Sequence, residues 1–226
     1  MIPKIIHYCW FGRGPLPKSA IKCINSWRKF FPGYEIKEWN EDNFDVNIIP
    51  YTAEAYKAKK YAFVSDYARM WILYHYGGIY FDTDVEVIKP MTDIVARGPF
   101  MGIEGISANE VANVAPGLGL GFDIKNQICK QILDLYSTDN LINCDGYIVP
   151  FATKVAQKLG AKATNAIQNL PGITIYPSEY FNPYDYLNGK LNITPNTRTI
   201  HWFDASWLSQ WGKLKYKLGR IYRKFL

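Results

Sequence analysis

The sequence contains few of the residues from which zinc sites and disulfide frameworks are built. It has three histidines and four cysteines among 226 residues. The cysteines do not form a C-x-x-C motif, so the sequence predicts neither a structural zinc site nor a network of disulfides. The same cysteine usage is typical of a reducing compartment, and we expect the protein to be cytoplasmic.

A long hydrophobic run is also absent. No stretch reaches the about 18 apolar residues of a transmembrane helix, and the first residues, MIPKIIHYCWF, lack the charged leader, apolar stretch and cleavage site of a secretory signal. There is no repeat or low-complexity segment. With 48% hydrophobic and 16% aromatic residues, the chain is predicted to form one large domain with a substantial core.

The net charge of +6 is confined to the C-terminal end. Residues 213–226 hold six of the 26 lysines and arginines and no acid, which leaves 20 basic and 20 acidic residues in the rest of the chain. From residue 207 to the end, apolar residues recur at three- and four-residue spacings, namely Trp207, Trp211, Leu214, Leu218, Ile221 and Phe225. We therefore predict a domain over residues 1–207 and a basic amphipathic helix over residues 208–226.

A helix of this kind can lie in the interface of an anionic membrane, with its lysines and arginines attracted to the lipid headgroups. Two alternatives remain open. The helix packs on the domain with its basic face in solvent, or it contacts nucleic acid. Membrane docking is the preferred interpretation, and we expect no nucleic-acid partner.

Short apolar runs alternate with helical spacings along the rest of the chain. Strands are predicted at KIIHYCWF, YEIKEW, IYF, VEVIK, PFMGIEG, GLGLGF and GITIYP. Helices are predicted around Ile21, Ile24, Trp27 and Phe31, and over residues 52–76, 124–136 and 151–159. The helix over 52–76 is expected to break near Lys60 and to end at Gly77–Gly78. This alternation predicts an α/β fold built on a layered sheet.

Two aspartates directly follow the apolar run IYF. Asp82 and Asp84 lie one residue apart in FDTDVEV, where burial of charge is costly unless something offsets it. Ligands of open α/β sheets bind at the carboxyl ends of strands, and two carboxylates in a turn there can hold a hard cation such as Mg²⁺ or Mn²⁺. The alternative is a solvated turn that contains aspartate.

Asp66 and Arg69 precede this turn in the segment SDYARMWILYHYGG. A spacing of three places them on one helix face, among mostly apolar neighbours. Because a buried ion pair is costly unless its members also do polar work, the pair indicates either a ligand-binding role or a contact that stabilises the helix.

The segment SDYARMWILYHYGGIYFDTDVEVIKP resembles the DxD sugar-binding region of glycosyltransferase family 32 and the corresponding region of the large clostridial glucosylating toxins. The shared elements are S-D-x-x-R, an apolar helix, G-G-x-Y and D-x-D, all at the same interval. IPKIIHYCWFG is similar to the opening strand of that family, and HWFDASW to its closing segment. The resemblance covers residues 1–90 and 201–207.

This resemblance implies a GT-A fold, which is a Rossmann-like mixed sheet flanked by helices. It also implies a nucleotide-sugar donor, a divalent metal and retention of anomeric configuration. Position by position, it assigns donor binding to Trp10, Asp66, Arg69, Tyr80, Asp82, Ser206 and Trp207, and metal binding to Asp82, Asp84 and His201. Trp10 would stack on the nucleobase and Asp84 would be the direct metal ligand. Without the resemblance, Trp10 and Trp207 would be interpreted as core aromatics and His201 as a loop histidine.

The middle segment, CDGYIVPFATK, departs from the family pattern. Gly146 and Thr153 keep their places, but Pro150 is displaced and Asp145 stands beside the glycine. Asp145 joins Arg69, Asp82 and Asp84 as a candidate catalytic residue, because its position predicts a contact with the donor or the acceptor.

The leading interpretation is a metal-dependent retaining glycosyltransferase that uses Mn²⁺ or Mg²⁺ and a UDP-sugar. The expected reaction is the transfer of a hexosyl or N-acetylhexosaminyl group to a lipid-linked surface polysaccharide. The enzyme is expected to be peripheral to the inner face of the cell membrane. The alternatives are a protein-modifying glycosyltransferase and a non-catalytic module that binds nucleotide sugars or membranes. A metal-dependent phosphohydrolase usually needs more ligands than three histidines supply.

Overall fold

The computed structural model describes residues 1–107, 109–137, 148–186 and 188–204. Its helices are α1 (Lys18–Phe30), α2 (Pro50–Lys57), α3 (Tyr61–Tyr76), α4 (Thr92–Val95), α5 (Gln127–Asp134), α6 (Ile148–Lys158) and α7 (Ser178–Phe181). Its strands are β1 (Ile5–Cys9), β2 (Glu35–Trp39), β3 (Gly78–Tyr80), β4 (Val85–Val87), β5 (Phe100–Ile106), β6 (Ala112–Val114), β7 (Leu120–Phe122), β8 (Gln168–Leu170), β9 (Ile173–Tyr176), β10 (Tyr184–Asp185), β11 (Lys190–Leu191) and β12 (Thr199–His201).

Eight of these strands form one mixed sheet. The spatial order is β2-β1-β3-β7-β5-β9-β8, and β6 pairs with β5 outside this path. β1 is parallel to β2 and β3, whereas β7 runs antiparallel to both β3 and β5. Because β7 is antiparallel to both β3 and β5, β5 runs in the same direction as β3 and β1. The carboxyl ends of β1, β3 and β5 therefore lie at one edge of the sheet. Ligands of such sheets bind at that edge.

Alternation along the central strands fills a separate core on each face of the sheet. Ile79 and Phe81 pack on one side with Trp27 of α1, and Tyr80 packs on the other with Met70 of α3. The indole Nε1 of Trp27 donates to the Val85 carbonyl at 2.7 Å, which fixes α1 over the start of β4. Helices therefore cover both faces, and the predicted α/β layered sheet is confirmed.

Most predicted elements appear with altered ends. The helix over 52–76 is broken, as expected, and Lys59 between α2 and α3 has a φ of 57°. The helix predicted from 124 begins only at Gln127, because the Asn126 side chain accepts from the Ile128 and Cys129 amides and caps it. Ile21 lies in α1 as predicted, but it is 45% exposed and so lies off the buried face of the helix.

Within the described parts of the chain, no helix is long and apolar enough to cross a bilayer. Strands β6, β8 and β12 are too short to give a periodic signal and were not expected from the sequence. The predicted helix over residues 208–226 lies outside the described residues.

His7 ties β1 to the turn that precedes the acidic pair. Its Nε2 donates to the Gly77 carbonyl at 2.9 Å and its Nδ1 accepts from the Trp39 indole at 3.0 Å. Both bonds are made by a neutral ring, which is fully buried. Burial lowers the pKa of His7 to about 4, aided by the charge of Lys37 and opposed by the hydrogen bond to Gly77. Because Gly78 lies against the Ile5 carbonyl with a φ of 103°, only glycine fits beside this histidine.

We predict that His7 makes the fold sensitive to mild acid. Between pH 6.5 and about 4 the unfolded chain binds a proton at His7 that the folded chain does not, so stability falls as pH decreases through this window. The loss from this residue amounts to roughly 3 kcal/mol. Urea unfolding at several pH values should show a shallower pH dependence for His7→Gln than for the wild type. The half-buried His75, replaced by glutamine, is the control; equal slopes for all three proteins would refute the assignment.

Candidate active site

A cavity of about 810 Å³ opens at the edge of the sheet where β1, β3 and β5 end. Its wall includes an aromatic residue after β1, an acid and an arginine from α3, the two acids after β3, an acid on β5 and a histidine at the end of β12. These residues are Trp10, Asp66, Arg69, Asp82, Asp84, Glu104 and His201. The volume lies within the range typical of small-molecule and cofactor sites.

A tight turn positions the two aspartates that follow β3. The Val85 amide donates to the Asp82 carbonyl at 3.0 Å, and the Asp82 amide donates to the Gly117 carbonyl at 3.4 Å. Both carboxylates thereby project from the turn into the cavity wall. Gly117 lies so close to the Asp82 carboxylate that a Cβ there would displace it.

The end of β12 fixes Asp84 from the opposite side. In the β4–β12 pair His201 lies opposite Val85, which brings its Nε2 to 3.1 Å from Asp84 Oδ1. The Asp204 amide donates to Asp84 Oδ2 and the Trp202 amide to the Asp84 carbonyl, each at 3.0 Å. The structure thus brings together His201 and Asp84, which the sequence predicts as neighbours at a metal.

Arg69 joins Asp66 of its own helix to Asp82 of the turn. Its Nη2 lies 3.0 Å from Asp66 Oδ1 and 3.0 Å from Asp82 Oδ1, and its Nε donates to the Ser65 carbonyl at 3.3 Å. The side chain is only 5% exposed. The helical spacing of Asp66 and Arg69 therefore does more than stabilise α3, because the same guanidinium also holds the acidic turn.

The carboxylates differ in how strongly they retain their charge. Burial raises the pKa of Asp66 to about 7, although Arg69 opposes this shift. Burial likewise raises the pKa of Asp82, again against Arg69. Partial burial acts on Asp84 in the same direction, but His201 and the Asp204 amide outweigh it and lower the pKa of Asp84. The pKa of His201 is raised because Asp84 outweighs the effect of burial. Asp84 is thus the acid of this site that stays most firmly ionised.

The donor chemistry of this site suits a hard divalent cation. Around Arg69 and His201 lie the carboxylates of Asp66, Asp82 and Asp84, and carboxylate oxygens are the ligands that Mg²⁺ and Mn²⁺ prefer. Among the described residues, no group of three or more histidine, cysteine, aspartate or glutamate side chains is arranged to hold a metal by itself. The described residues at Asp84 would therefore supply only part of the ligand set of a cation, and Mg²⁺ commonly keeps water or phosphate oxygens among its ligands.

Trp10 lies at the rim of the same cavity, half-buried, and its indole Nε1 donates to the Gly14 carbonyl at 2.7 Å. Its neighbours in the wall include Gly12, Gly14 and Tyr61. This position leaves Trp10 in the cavity, as a base-stacking residue requires, but the stacking itself stays a prediction.

Tyr80 occupies a different place from that expected of a donor contact. It is 1% exposed and is not among the lining residues. The Arg69 guanidinium lies 5.0 Å from the centre of its ring, a cation–π contact. We therefore assign Tyr80 a supporting role beneath Arg69, since its burial does not fit direct contact with a ligand.

Other predicted residues are set apart from the cavity or are not described. Thr153 is buried and its Oγ1 accepts from the Val114 amide at 3.0 Å, so it secures α6 to β6. Asp145, Ser206 and Trp207 lie outside the described residues, and their assigned roles stay predictions.

Glu104 is a cavity residue that the sequence reasoning missed. It lies near the end of β5 and lines the wall, and burial raises the pKa of its carboxyl against the nearby charge of His201. The available signal was a single acid in the apolar run PFMGIEGI, which by itself predicts only a strand.

Comparison with known proteins bears on the same segment of the chain. Residues 17–101 match a family model described as a glycosyltransferase sugar-binding region containing a DXD motif. An uncharacterized glycosyltransferase of Acanthamoeba polyphaga mimivirus is 37% identical over an alignment of 200 residues that covers 84% of this chain and 76% of that protein. Inositol phosphoceramide mannosyltransferase 1 of Schizosaccharomyces pombe is 29% identical over an alignment of 111 residues that covers 44% of this chain and 33% of the yeast protein. The match thus spans about a third of the yeast relative.

A solved structure has a similar fold. A glycosyltransferase involved in the glycosylation of the major capsid of PBCV-1 superposes with a TM-score of 0.54 at 12% identity, over 98% of this chain and 100% of that chain. At this identity the likeness concerns the fold alone.

We predict that Arg69 carries much of the stability of the acidic site. Arg69→Met leaves the buried Asp66 and the partly buried Asp82 beside each other without their shared cation, which should lower the free energy of unfolding by about 3 kcal/mol. Arg13→Met is the matched control, because it breaks an ion pair with Asp42 whose side chains are 62% and 70% exposed; little change is expected there. Urea unfolding of both variants provides the comparison, and equal small losses would contradict the bridging role.

Proposed function

Because the chain belongs to the family of glycosyltransferases that carry the DXD-containing sugar-binding region, and has their GT-A fold, we propose that it transfers a sugar from a nucleotide sugar to a hydroxyl group in a reaction that depends on Mn²⁺ or Mg²⁺. The observation that carries this proposal is the Asp82–Asp84 turn at the carboxyl edge of the sheet, bounded by Arg69 and His201 in one cavity.

In this proposal the donor lies along the edge of the sheet. Trp10 stacks on the base, which is placed as uracil on the habit of the family. Asp82 contacts the ribose and, with Asp84 and His201, the metal-bound diphosphate. Asp66 and Arg69 contact donor hydroxyls and diphosphate oxygens, and Ser206 with Trp207 binds the leaving phosphates.

The cation, when bound, neutralises the negative charge that develops on the departing diphosphate. The protein supplies fixed charges around it. His201 and the Asp204 amide keep Asp84 ionised, while Arg69 holds Asp82 in place. Such preorganised groups need no rearrangement during the reaction. We propose that the acceptor hydroxyl attacks from the face that the diphosphate leaves, with the leaving phosphate as its base and with Asp145 beside the donor or the acceptor.

For the acceptor, we propose a lipid-linked surface polysaccharide at the inner face of the cell membrane. Two observations support a lipid acceptor. The Schizosaccharomyces pombe relative is named as an inositol phosphoceramide mannosyltransferase, so the substrate in its name is a lipid. Residues 208–226 have the basic amphipathic pattern of a membrane-docking helix. A protein acceptor or a non-catalytic module fits these observations less well, because neither needs both an intact acidic site and a membrane-binding segment.

The donor and the metal can be tested by thermal shift with UDP-, GDP- and CDP-sugars, each with and without Mn²⁺. One nucleotide should stabilise the protein only with metal, by about 2.7 kcal/mol at 100 times its Kd, which corresponds to a rise in Tm of roughly 5–10 °C at this chain length. Asp84→Asn should lose this rise, whereas Asp134→Asn, an acid of α5 that does not line the cavity, should keep it. An equal rise without metal would exclude the proposed ion.

Membrane docking predicts that the basic residues of the tail hold the protein on anionic vesicles. Replacing the six lysines and arginines of residues 213–226 with glutamine should abolish co-sedimentation with phosphatidylserine-containing vesicles, because each contributes about 1 kcal/mol near such a surface. Replacement of the exposed Lys18 and Lys29 on α1 is the control and should have little effect. If the tail variant still sediments with the vesicles, the tail does not carry the binding. Metal-dependent nucleotide binding should persist in both variants.

A further inference from the structure

The order of strands at the cavity edge gives each end of a bound nucleotide sugar a different neighbour. The spatial order of the strands along this edge is β1, β3, β7 and β5. Trp10 follows β1 and Glu104 lies on β5, so the two residues lie on opposite sides of the Asp82–Asp84 turn, which follows β3. Adjacent strands are roughly 5 Å apart. Glu104 therefore lies two strands, or roughly 10 Å, from the turn on the side away from Trp10.

A β-bulge directs the Glu104 side chain to this place. Ile103 pairs with Val114 and Gly105 with Asn113, and the register shifts between them, so Glu104 has no partner in β6. Bulges of this kind redirect a side chain and are common beside active sites. The backbone is nevertheless fixed, because Asn182 Nδ2 donates to the Glu104 carbonyl at 3.0 Å.

The Glu104 carboxylate is free to bind a ligand. Within the described residues, no group donates a hydrogen bond to it, and its residue is partly buried in the cavity wall. Ala115, Gly117 and Leu118 line the same cavity without polar side-chain groups, and His201 is the described group whose charge acts on the Glu104 carboxylate. Glu104 is therefore the acid of the described cavity wall that stands apart from the cluster around Arg69.

We propose that Glu104 accepts hydrogen bonds from hydroxyl groups of the donor sugar and so helps to determine which sugar is bound. This inference rests on the proposed function, in which the diphosphate lies at Asp82 and Asp84. With the base at Trp10, the sugar extends past the turn toward β5. A carboxylate offers two acceptor oxygens, which suits neighbouring hydroxyls of one sugar face. A site that pairs with a hydroxyl discriminates strongly against a sugar that lacks it or presents it differently.

The experiment compares nucleotide sugars with the corresponding nucleoside diphosphates. Isothermal titration with Mn²⁺ measures Kd for UDP, UDP-glucose, UDP-galactose, GDP and GDP-mannose with the wild type, Glu104→Ala and Glu104→Gln. The wild type should bind one nucleotide sugar more tightly than its diphosphate. Glu104→Ala should raise the Kd for that nucleotide sugar about 10- to 100-fold. The Kd for the nucleoside diphosphate should change by no more than about twofold. Glu104→Gln retains one acceptor oxygen and should give an intermediate Kd.

Glu110→Ala is the matched control, since it removes an exposed glutamate six residues along the chain and should change neither Kd. Unchanged diphosphate binding in the Glu104 variants also shows that they fold. Two results would overturn the role of Glu104 while the proposed function stands. One is an unchanged Kd for the nucleotide sugar, and the other is an equal loss of affinity for the nucleotide sugar and the nucleoside diphosphate. A wild-type protein that binds none of the five nucleotides would overturn the proposed function, and the role of Glu104 with it.

Discussion

The bridge made by Arg69 is the interaction on which the acidic site depends. Asp66, Asp82 and Asp84 gather at one edge of the sheet, where burial and mutual repulsion oppose their ionisation. One guanidinium contacts two of these acids at 3.0 Å each. The Arg69 guanidinium lies over the Tyr80 ring. Gly117 also lies close to both the guanidinium and the Asp82 carboxylate, so a side chain at this position would disturb their contact. Helix α3 and the turn after β3 are therefore joined through this cation.

A second constraint comes from a strand far along the chain. The β4–β12 pair places His201 opposite Val85, and the backbone amides of Trp202 and Asp204 then bind the carbonyl and the carboxylate of Asp84. The metal-binding candidate is thus held by residues more than 100 positions away in sequence.

The sequence predicts what local patterns determine and misses what pairing between distant segments determines. The break near Lys60, the strand before Asp82 and the shared face of Asp66 and Arg69 depend on nearby residues, and the structure contains all three. Glu104 faces the cavity because of a bulge set by its pairing with β6, which no periodicity reveals. The short strands β6, β8 and β12 likewise exist through their partners. Tyr80 was assigned by resemblance, and only its burial shows that it supports Arg69.

In our proposal, charged groups in the two halves of the cavity bind different parts of the nucleotide sugar. In the half around Asp84, carboxylates that suit a hard cation lie beside Arg69, and in our proposal the cation binds there with the diphosphate. UDP- and GDP-sugars carry the same diphosphate, so contacts with the diphosphate alone do not distinguish one sugar from another. In our proposal the choice of sugar depends on the groups that contact sugar hydroxyls, which are Asp66 and Arg69 beside the turn and Glu104 further along the edge. Glu104 is held there by its bulge and by Asn182, with its carboxylate left unpaired by the described residues, so exchange of this one side chain would alter the choice of sugar without disturbing the metal and diphosphate.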